Sequence, residues 1–193
     1  GGAVGGAATA SGGGMVVANP HFPWYGEARF WECHLTVPGD LDVYGVSLVG
    51  VPFVQMGFTE GMAWCHTFSR GHRFLVGKLD LVPDRPTAYR YGGEEREMAA
   101  THHRIDVRGD DGEVTTLERT LWRSHHGPML NLPFLGWSDA LGFTYRDANI
   151  ENERFLAQGL AMDRAQSITE LREAVPTLQG LPWVNVMAAD RDG

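Results

Sequence analysis

Along roughly the first two thirds of the chain, bulky apolar and polar residues alternate with a period near two, the spacing of a half-buried strand. Met15-Val16-Val17-Ala18 is a short apolar run that stops at the breaker Asn19-Pro20. Residues 28–37 alternate and end at Pro38-Gly39. Leu41 to Leu48 and Val51 to Phe58 are two further strand-like runs divided by Gly50, and Ala63 to Phe68 and Phe74 to Leu79 follow. Residues 101–108 and 113–123 flank Gly109-Asp110-Asp111-Gly112, which predicts a hairpin with a four-residue turn. Helical signals come late. Asn149 is placed to cap a helix over 150–162, and Ser167-Ile168-Thr169-Glu170 is a capping box opening a short helix toward Val175. Trp183 to Ala189 again reads as a strand, and Asp190-Arg191-Asp192-Gly193 has turn chemistry. Strands, then helices, then a strand predict an α+β fold, mostly antiparallel sheet with two late helices, rather than alternating βαβ units.

Length and composition narrow the classes of function. The chain has 193 residues, 43% hydrophobic and 21% charged, which excludes overall disorder. No run of about 18 uncharged apolar residues is present to form a membrane-spanning helix. The formal net charge of −8 argues against nucleic acid or an anionic membrane surface as partner. Cys33 and Cys65 allow one disulfide or none. Glycine is abundant, 25 residues, and concentrated in the first 14 positions. That start is either a flexible linker or a tight turn between two strands. The turn at 190–193 lacks a return strand and no Met opens the chain. The expectation is therefore a single partial domain over 1–193, cut from a longer polypeptide at both ends.

Few patterns carry chemistry on their own. Eight histidines include the adjacent pairs His102-His103 and His125-His126. Neighbours on a strand point to opposite faces, so such pairs rarely chelate one ion, and no zinc-type spacing occurs. No metal site is expected, and these four are read as surface or satisfied strand histidines. No nucleophile elbow and no phosphate loop is present. The aromatics Phe22, Trp24, Tyr25, Phe30, Trp31, Tyr44 and Phe53 are dense enough for a core or for an apolar acyl pocket. Asn19-Pro20-His21-Phe22-Pro23-Trp24 stands out, a prolyl turn carrying a histidine and two large aromatics.

That loop, followed by Arg29-Phe30-Trp31-Glu32-Cys33-His34-Leu35-Thr36, resembles the penicillin acylase family, most of all its acyl-homoserine lactone and aculeacin-type branch. The likeness continues through Gly45 to Pro52, Ala63-Trp64-Cys65-His66-Thr67, His126-Gly127-Pro128, Arg146-Asp147-Ala148-Asn149 with Glu151-Asn152, and Leu178 to Asn185. It covers nearly the whole chain.

The resemblance implies an N-terminal nucleophile hydrolase with a four-layer αββα sandwich, of which this chain would be the first part of the β chain. Such enzymes are exported precursors that cut themselves into α and β chains. The β chain then begins with a serine, whose hydroxyl attacks an amide carbonyl while its own α-amine serves as base. An α-amine with a pKa of about 7.7–8.0 suits that role near neutral pH. Family spacing puts this serine two residues ahead of Gly1, so the chain by itself lacks the nucleophile. The resemblance assigns His21 to the position beside the serine, the Phe68 backbone N–H to the oxyanion, and Phe22, Gln55, Trp183 and Val184 to the acyl pocket. A second oxyanion donor, an asparagine side chain, would lie downstream. The family's calcium site follows the oxyanion residue, where this chain has Arg70-Gly71-His72-Arg73 and no carboxylate. Calcium prefers oxygen ligands, so no cofactor is expected. The implied substrates are small acyl amides: an acyl-homoserine lactone, a lipopeptide or a β-lactam antibiotic. The implied partner is the α chain of the same precursor, and the implied location is periplasmic or secreted. The competing reading is a non-catalytic module that binds acyl or aromatic ligands in the same pocket.

Overall fold

The structure, a computed structural model, describes residues 1–193. Its strands are β1 (Gly2–Val4), β2 (Met15–Val17), β3 (Phe30–Val37), β4 (Leu41–Leu48), β5 (Met56–Phe58), β6 (Met62–Phe68) and β7 (Phe74–Val82). They continue with β8 (Arg85–Tyr91), β9 (Glu94–Glu97), β10 (Ala99–Arg108), β11 (Val114–Ser124), β12 (Gly127–Leu130) and β13 (Leu141–Asp147). Helices α1 (Phe155–Arg164) and α2 (Ile168–Leu178) precede β14 (Val184–Asp190). All pairing is antiparallel, and the class is α+β as the order of patterns predicts. No helix is long and apolar enough to cross a membrane. The chain packs as two compact units, residues 1–71 with 151–193, and residues 72–150.

The first unit is a five-stranded sheet in the order β14-β6-β5-β4-β3, with both helices and the β1–β2 hairpin. The glycine-rich start is therefore the turn, not the linker: Gly2 faces Val17 and Val4 faces Met15 across it. Glycine is required where that turn meets the end of β14, because a Cβ on Gly14 would lie 2.6 Å from the Asp190 carbonyl oxygen. The core lies on one face of the sheet, where Val43, Val54, Trp64, Met162 and Leu171 are buried.

The run expected as a strand over Val51 to Phe58 is a strand only from Met56. The chain turns at Val51, whose N–H donates to the Leu48 carbonyl at 3.0 Å, and then lifts off the sheet. Three contacts hold it there. The Val54 N–H donates to Asp163 Oδ2 on α1 at 2.9 Å. The Phe53 ring lies against Gly159 of α1, where a Cβ would come within 2.4 Å of the ring. The Val54 side chain covers the facing glycines Gly45 and Gly57. An unbroken strand would have put Val54 in the sheet; the paired glycines and the helix offer it a buried seat above the sheet instead.

Both helices differ at their ends from expectation. Asn149 does not cap α1: its N–H donates to Asp147 Oδ1 at 2.8 Å in an Asx turn, and the helix begins at Phe155. Asn152 Oδ1 accepts from the Arg154 N–H and holds the entry to the helix. The Ser167 cap forms as predicted, its Oγ accepting from the Glu170 N–H at 3.2 Å. The helix runs past Val175 to Leu178, with Pro176 in its last turn and Gln179 left-handed at φ 50° as its end.

The second unit is a seven-stranded sheet, β10-β11-β12-β13-β7-β8-β9. The predicted hairpin is present, and Gly109 N–H bonds the Glu113 carbonyl across its turn at 2.8 Å. Strands β8, β9, β12 and β13 carry no clear alternation. β9 is Glu-Glu-Arg-Glu, a sequence of low strand preference held by its partner: Arg85 on β8 reaches Glu95 at 2.8 Å and also pairs with Glu97.

Candidate functional site

Lifting the chain off the sheet at 51–54 opens a gap between β4 and β6. β5 pairs with β6 only at Gly57↔Trp64 and Phe58↔Ala63, so His66 to Phe68 run on without a neighbour on that side. On the other side β14 continues to the end, pairing Val184 with Phe68. The Ser69 N–H donates to the Trp183 carbonyl at 3.0 Å. Main-chain groups of successive residues in a strand point to opposite sides, so the Phe68 N–H points away from β14 and toward the gap. The Asn185 side chain braces this strand end, donating to Thr67 Oγ1 at 3.2 Å and to the Phe68 carbonyl at 3.3 Å.

A cavity of about 310 Å³ occupies the gap. Every residue that the sequence assigned to a site lines it: His21, Phe22, Gln55, Phe68, Trp183 and Val184. Gly1, Phe30, Leu48, Met56 and His66 complete most of the wall, which is largely apolar. The prolyl loop is fastened over it by aromatic contact. Phe22 stacks on Phe68 with ring centroids 6.0 Å apart and packs at a tilt on Phe30 at 5.4 Å. His21 is exposed at the rim, and Trp24 beyond it is 86% exposed.

Gln55 takes a different part from that of a simple wall residue. Its Oε1 accepts from the Leu48 N–H at 2.8 Å, and its main-chain carbonyl accepts from the Trp64 indole N–H at 2.9 Å. It ties both banks of the gap to the lifted segment. Cys33 and Cys65 are separate thiols, and Cys65 Sγ donates to the Val17 carbonyl at 3.7 Å. His125 meets the Tyr89 hydroxyl at 2.7 Å, and His102 meets Thr120 Oγ1 at 3.0 Å, and neither belongs to a group of three His, Cys, Asp or Glu side chains that could hold a metal ion. The stretch Ser69-Arg70-Gly71-His72-Arg73 supplies no carboxylate for calcium.

Two buried polar residues were not singled out from the sequence. Burial brings the His66 imidazole down to about 4, so it is neutral at physiological pH, and its Nε2 has no hydrogen-bond partner. Burial pushes the Asp163 carboxyl up to about 7, against the hydrogen bond from Val54 that favours its charge. The Asp163 Oδ1 is likewise without a partner. A polar residue at an inward position of an apolar strand or helix was the available signal in both cases.

The family model for penicillin amidase matches residues 1–193. The acyl-homoserine lactone acylase PvdQ of Pseudomonas putida is 42% identical over 192 residues, 99% of this chain and 25% of that protein. Aculeacin-A acylase of Actinoplanes utahensis is 39% identical over 191 residues, 98% of this chain and 24% of that protein. The solved thermostable penicillin G acylase of Alcaligenes faecalis superposes with a TM-score of 0.70 at 25% identity, covering 90% of this chain and 30% of that one. The chain thus spans about a quarter of the length of the relatives it matches in sequence. With the whole chain matched and its fold shared, this protein belongs to the penicillin amidase family.

Proposed function

We propose that this chain is the substrate-binding and oxyanion-holding part of an amidohydrolase that removes the acyl group from a small N-acyl amide. The observation that carries the reading is convergence: Gly1, His21 and the main-chain edge at Phe68 meet on one apolar cavity. On this reading a serine two residues ahead of Gly1 stands close to that cavity. Its hydroxyl adds to the amide carbonyl carbon while its α-amine takes the hydroxyl proton. The Phe68 N–H and a downstream asparagine side chain hold the oxygen as it becomes negative. The C–N bond then breaks, the amine leaves with the proton, and water releases the acid from the acyl-serine. His21 contacts the serine amine or hydroxyl. Phe22, Trp183 and Val184 bind the acyl chain, at about 0.8 kcal/mol for each buried methylene, and Gln55 keeps the cavity open.

Acyl-homoserine lactones and lipopeptides are the substrates favoured by the named relatives, with β-lactam antibiotics behind them. The α chain of the same precursor is the partner, the location is periplasmic or secreted, and no cofactor takes part. The test is N-terminal sequencing of the mature β chain from the native producer, together with acid release from N-acyl amides. A free serine two residues ahead of Gly1 and stoichiometric release of amine and acid support the hydrolase. A mature chain without that serine, which binds fatty acid but turns nothing over, replaces it with the binding module.

A further inference from the structure

The neighbouring histidines His125 and His126 stand in the turn between β11 and β12 rather than within a strand, so their rings fall together, with centroids 3.7 Å apart. β8 is not a neighbour of β11 in the sheet, yet its buried Tyr89 reaches this turn. The His125 main-chain N–H donates to the Tyr89 oxygen at 3.1 Å, and the hydroxyl lies 2.7 Å from His125 Nδ1. The hydroxyl proton has no other acceptor and goes to Nδ1, so the proton of the neutral ring sits on Nε2, and His125 keeps a free donor there. Tyr91 gathers the rest of the group. Its ring packs on His125 at 4.3 Å and edge-on to His126 at 5.3 Å, and the Arg96 guanidinium lies 4.8 Å from its centre. Gly127, at φ 147°, lets the turn press onto β13 beside Arg146, where a Cβ would strike the Tyr145 carbonyl oxygen. Burial lowers the His125 pKa, and the charges of His126, Arg96 and Arg146 lower it further. Donors and cations thus converge on a chain whose net charge is −8. Glu94, exposed and 3.8 Å from Arg96, is their one ionic partner; Arg146 and both imidazoles meet no carboxylate. Two arginines repel a metal cation, and no set of three metal-ligating side chains is present. What the group lacks is an acceptor with negative charge. A carboxylate offers two oxygens, which one guanidinium answers. Donors from three separate elements, β9, the turn and β13, suit an anion with three terminal oxygens, which is a phosphate group.

We propose that Arg96, His125, His126 and Arg146 form a binding site for a phosphate group on the second unit, either free phosphate or a phosphate monoester. The site is independent of the acylase reading. The test is calorimetric titration of the full-length protein with inorganic phosphate, glycerol 3-phosphate and acetate at about pH 7 and constant ionic strength, so that screening is the same in every run. Phosphate should bind saturably, one per chain, and acetate at least about tenfold more weakly. Arg146→Gln and Arg96→Gln should each weaken phosphate binding about tenfold or more, the scale of a lost hydrogen bond to a charged group. Arg104→Gln, on the exposed β10–β11 ribbon, should leave it unchanged. Melting temperatures show whether each variant is folded, and Arg146→Lys, which keeps the charge, should retain part of the affinity and serves if Arg146→Gln is not. Glycerol 3-phosphate binding as tightly as inorganic phosphate supports the site as one for a phosphorylated ligand; binding of inorganic phosphate alone supports it as one for the free ion. Absence of saturable phosphate binding, equal binding of acetate, or equal weakening by Arg104→Gln overturns the proposal.

Discussion

The gap between β4 and β6 in the first unit and the β10–β11 ribbon in the second are both places where a sheet stops covering itself, yet they are built oppositely. The ribbon is exposed on both faces along all of β10. Its polar side chains answer one another across the strands: His102 with Thr120, Asp106 with Thr116 at 2.7 Å, and Arg104 with Glu118 at 3.9 Å. Exposed ion pairs of this kind contribute about 0–1 kcal/mol each. The gap is concave and apolar, and it holds polar groups that are buried without partners, His66 Nε2 beside the cavity and Asp163 Oδ1 behind the lifted segment. Eight histidines along the chain thus divide by environment rather than by type. His102 on the ribbon is solvated and paired, while His66 in the gap is kept neutral and unpaired. Chemistry is better located by where the sheet is interrupted than by where histidines are dense.

The largest expected effect tests the main-chain edge of the gap. Phe68→Pro removes an N–H directed into it, and kcat of the mature enzyme should fall about 10²–10³-fold, the usual loss of an oxyanion donor. Phe68→Leu keeps that N–H and should lose much less. A proline variant as active as the leucine one would take Phe68 out of the oxyanion site.

His21→Ala should slow acylation or self-processing about 10²-fold, the scale of a misplaced reacting group, without lowering the melting temperature. Unchanged rates of both steps would remove His21 from the site.

Stability separates the two regions next. Trp64→Ala empties a fully buried site in the core of the first unit and should cost about 3–5 kcal/mol in urea unfolding. Leu121→Ser on the ribbon, where Leu121 is 59% exposed, should change stability by no more than about 0.5 kcal/mol. Equal losses would mean that the ribbon is part of a core after all.

The last effect is a pH dependence with two opposing limbs. The folded Asp163 carboxyl lies near 7, above its ordinary 3.8, so between these values the folded state holds the extra proton. Its destabilising effect is absent below about 4 and complete above about 7. His66 runs the other way. Its folded value lies near 4, below the ordinary 6.5, so stability falls as pH drops through that window. Asp163→Asn keeps an acceptor for the Val54 N–H and cannot ionise. The variant should be more stable than wild type at pH 8, equal to it near pH 4, and should show the His66 limb alone. Identical stability curves for both proteins from pH 4 to 8 would mean that Asp163 does not titrate in this window.

Much of this molecule is legible in its sequence because much of it is local. The alternation over 41–48 and 101–123, the turn at Gly109 to Gly112, and the Ser167 cap depend on neighbours in the chain, and each forms as read. The elements that escaped are those held from a distance. β9 is charged throughout and is a strand because β8 pairs with it, and Val51 to Val54 leaves the sheet because α1, a hundred residues later, takes hold of Val54. The site divides the same way. His21 and Phe22 stand in a loop whose composition marks it, whereas His66 and Asp163 acquire their character only from what encloses them.

By itself, the sequence determined the class of fold, the order of its strands and helices, and the loop that faces the cavity, since these follow from side-chain period, turn residues and caps within a few positions. Only the tertiary structure decided where the sheet would open, that the Phe68 N–H faces the opening, and which histidine would be buried neutral and unpaired. Those properties depend on register, on strand order and on desolvation. Each is set by residues far apart in the chain and brought together by packing alone.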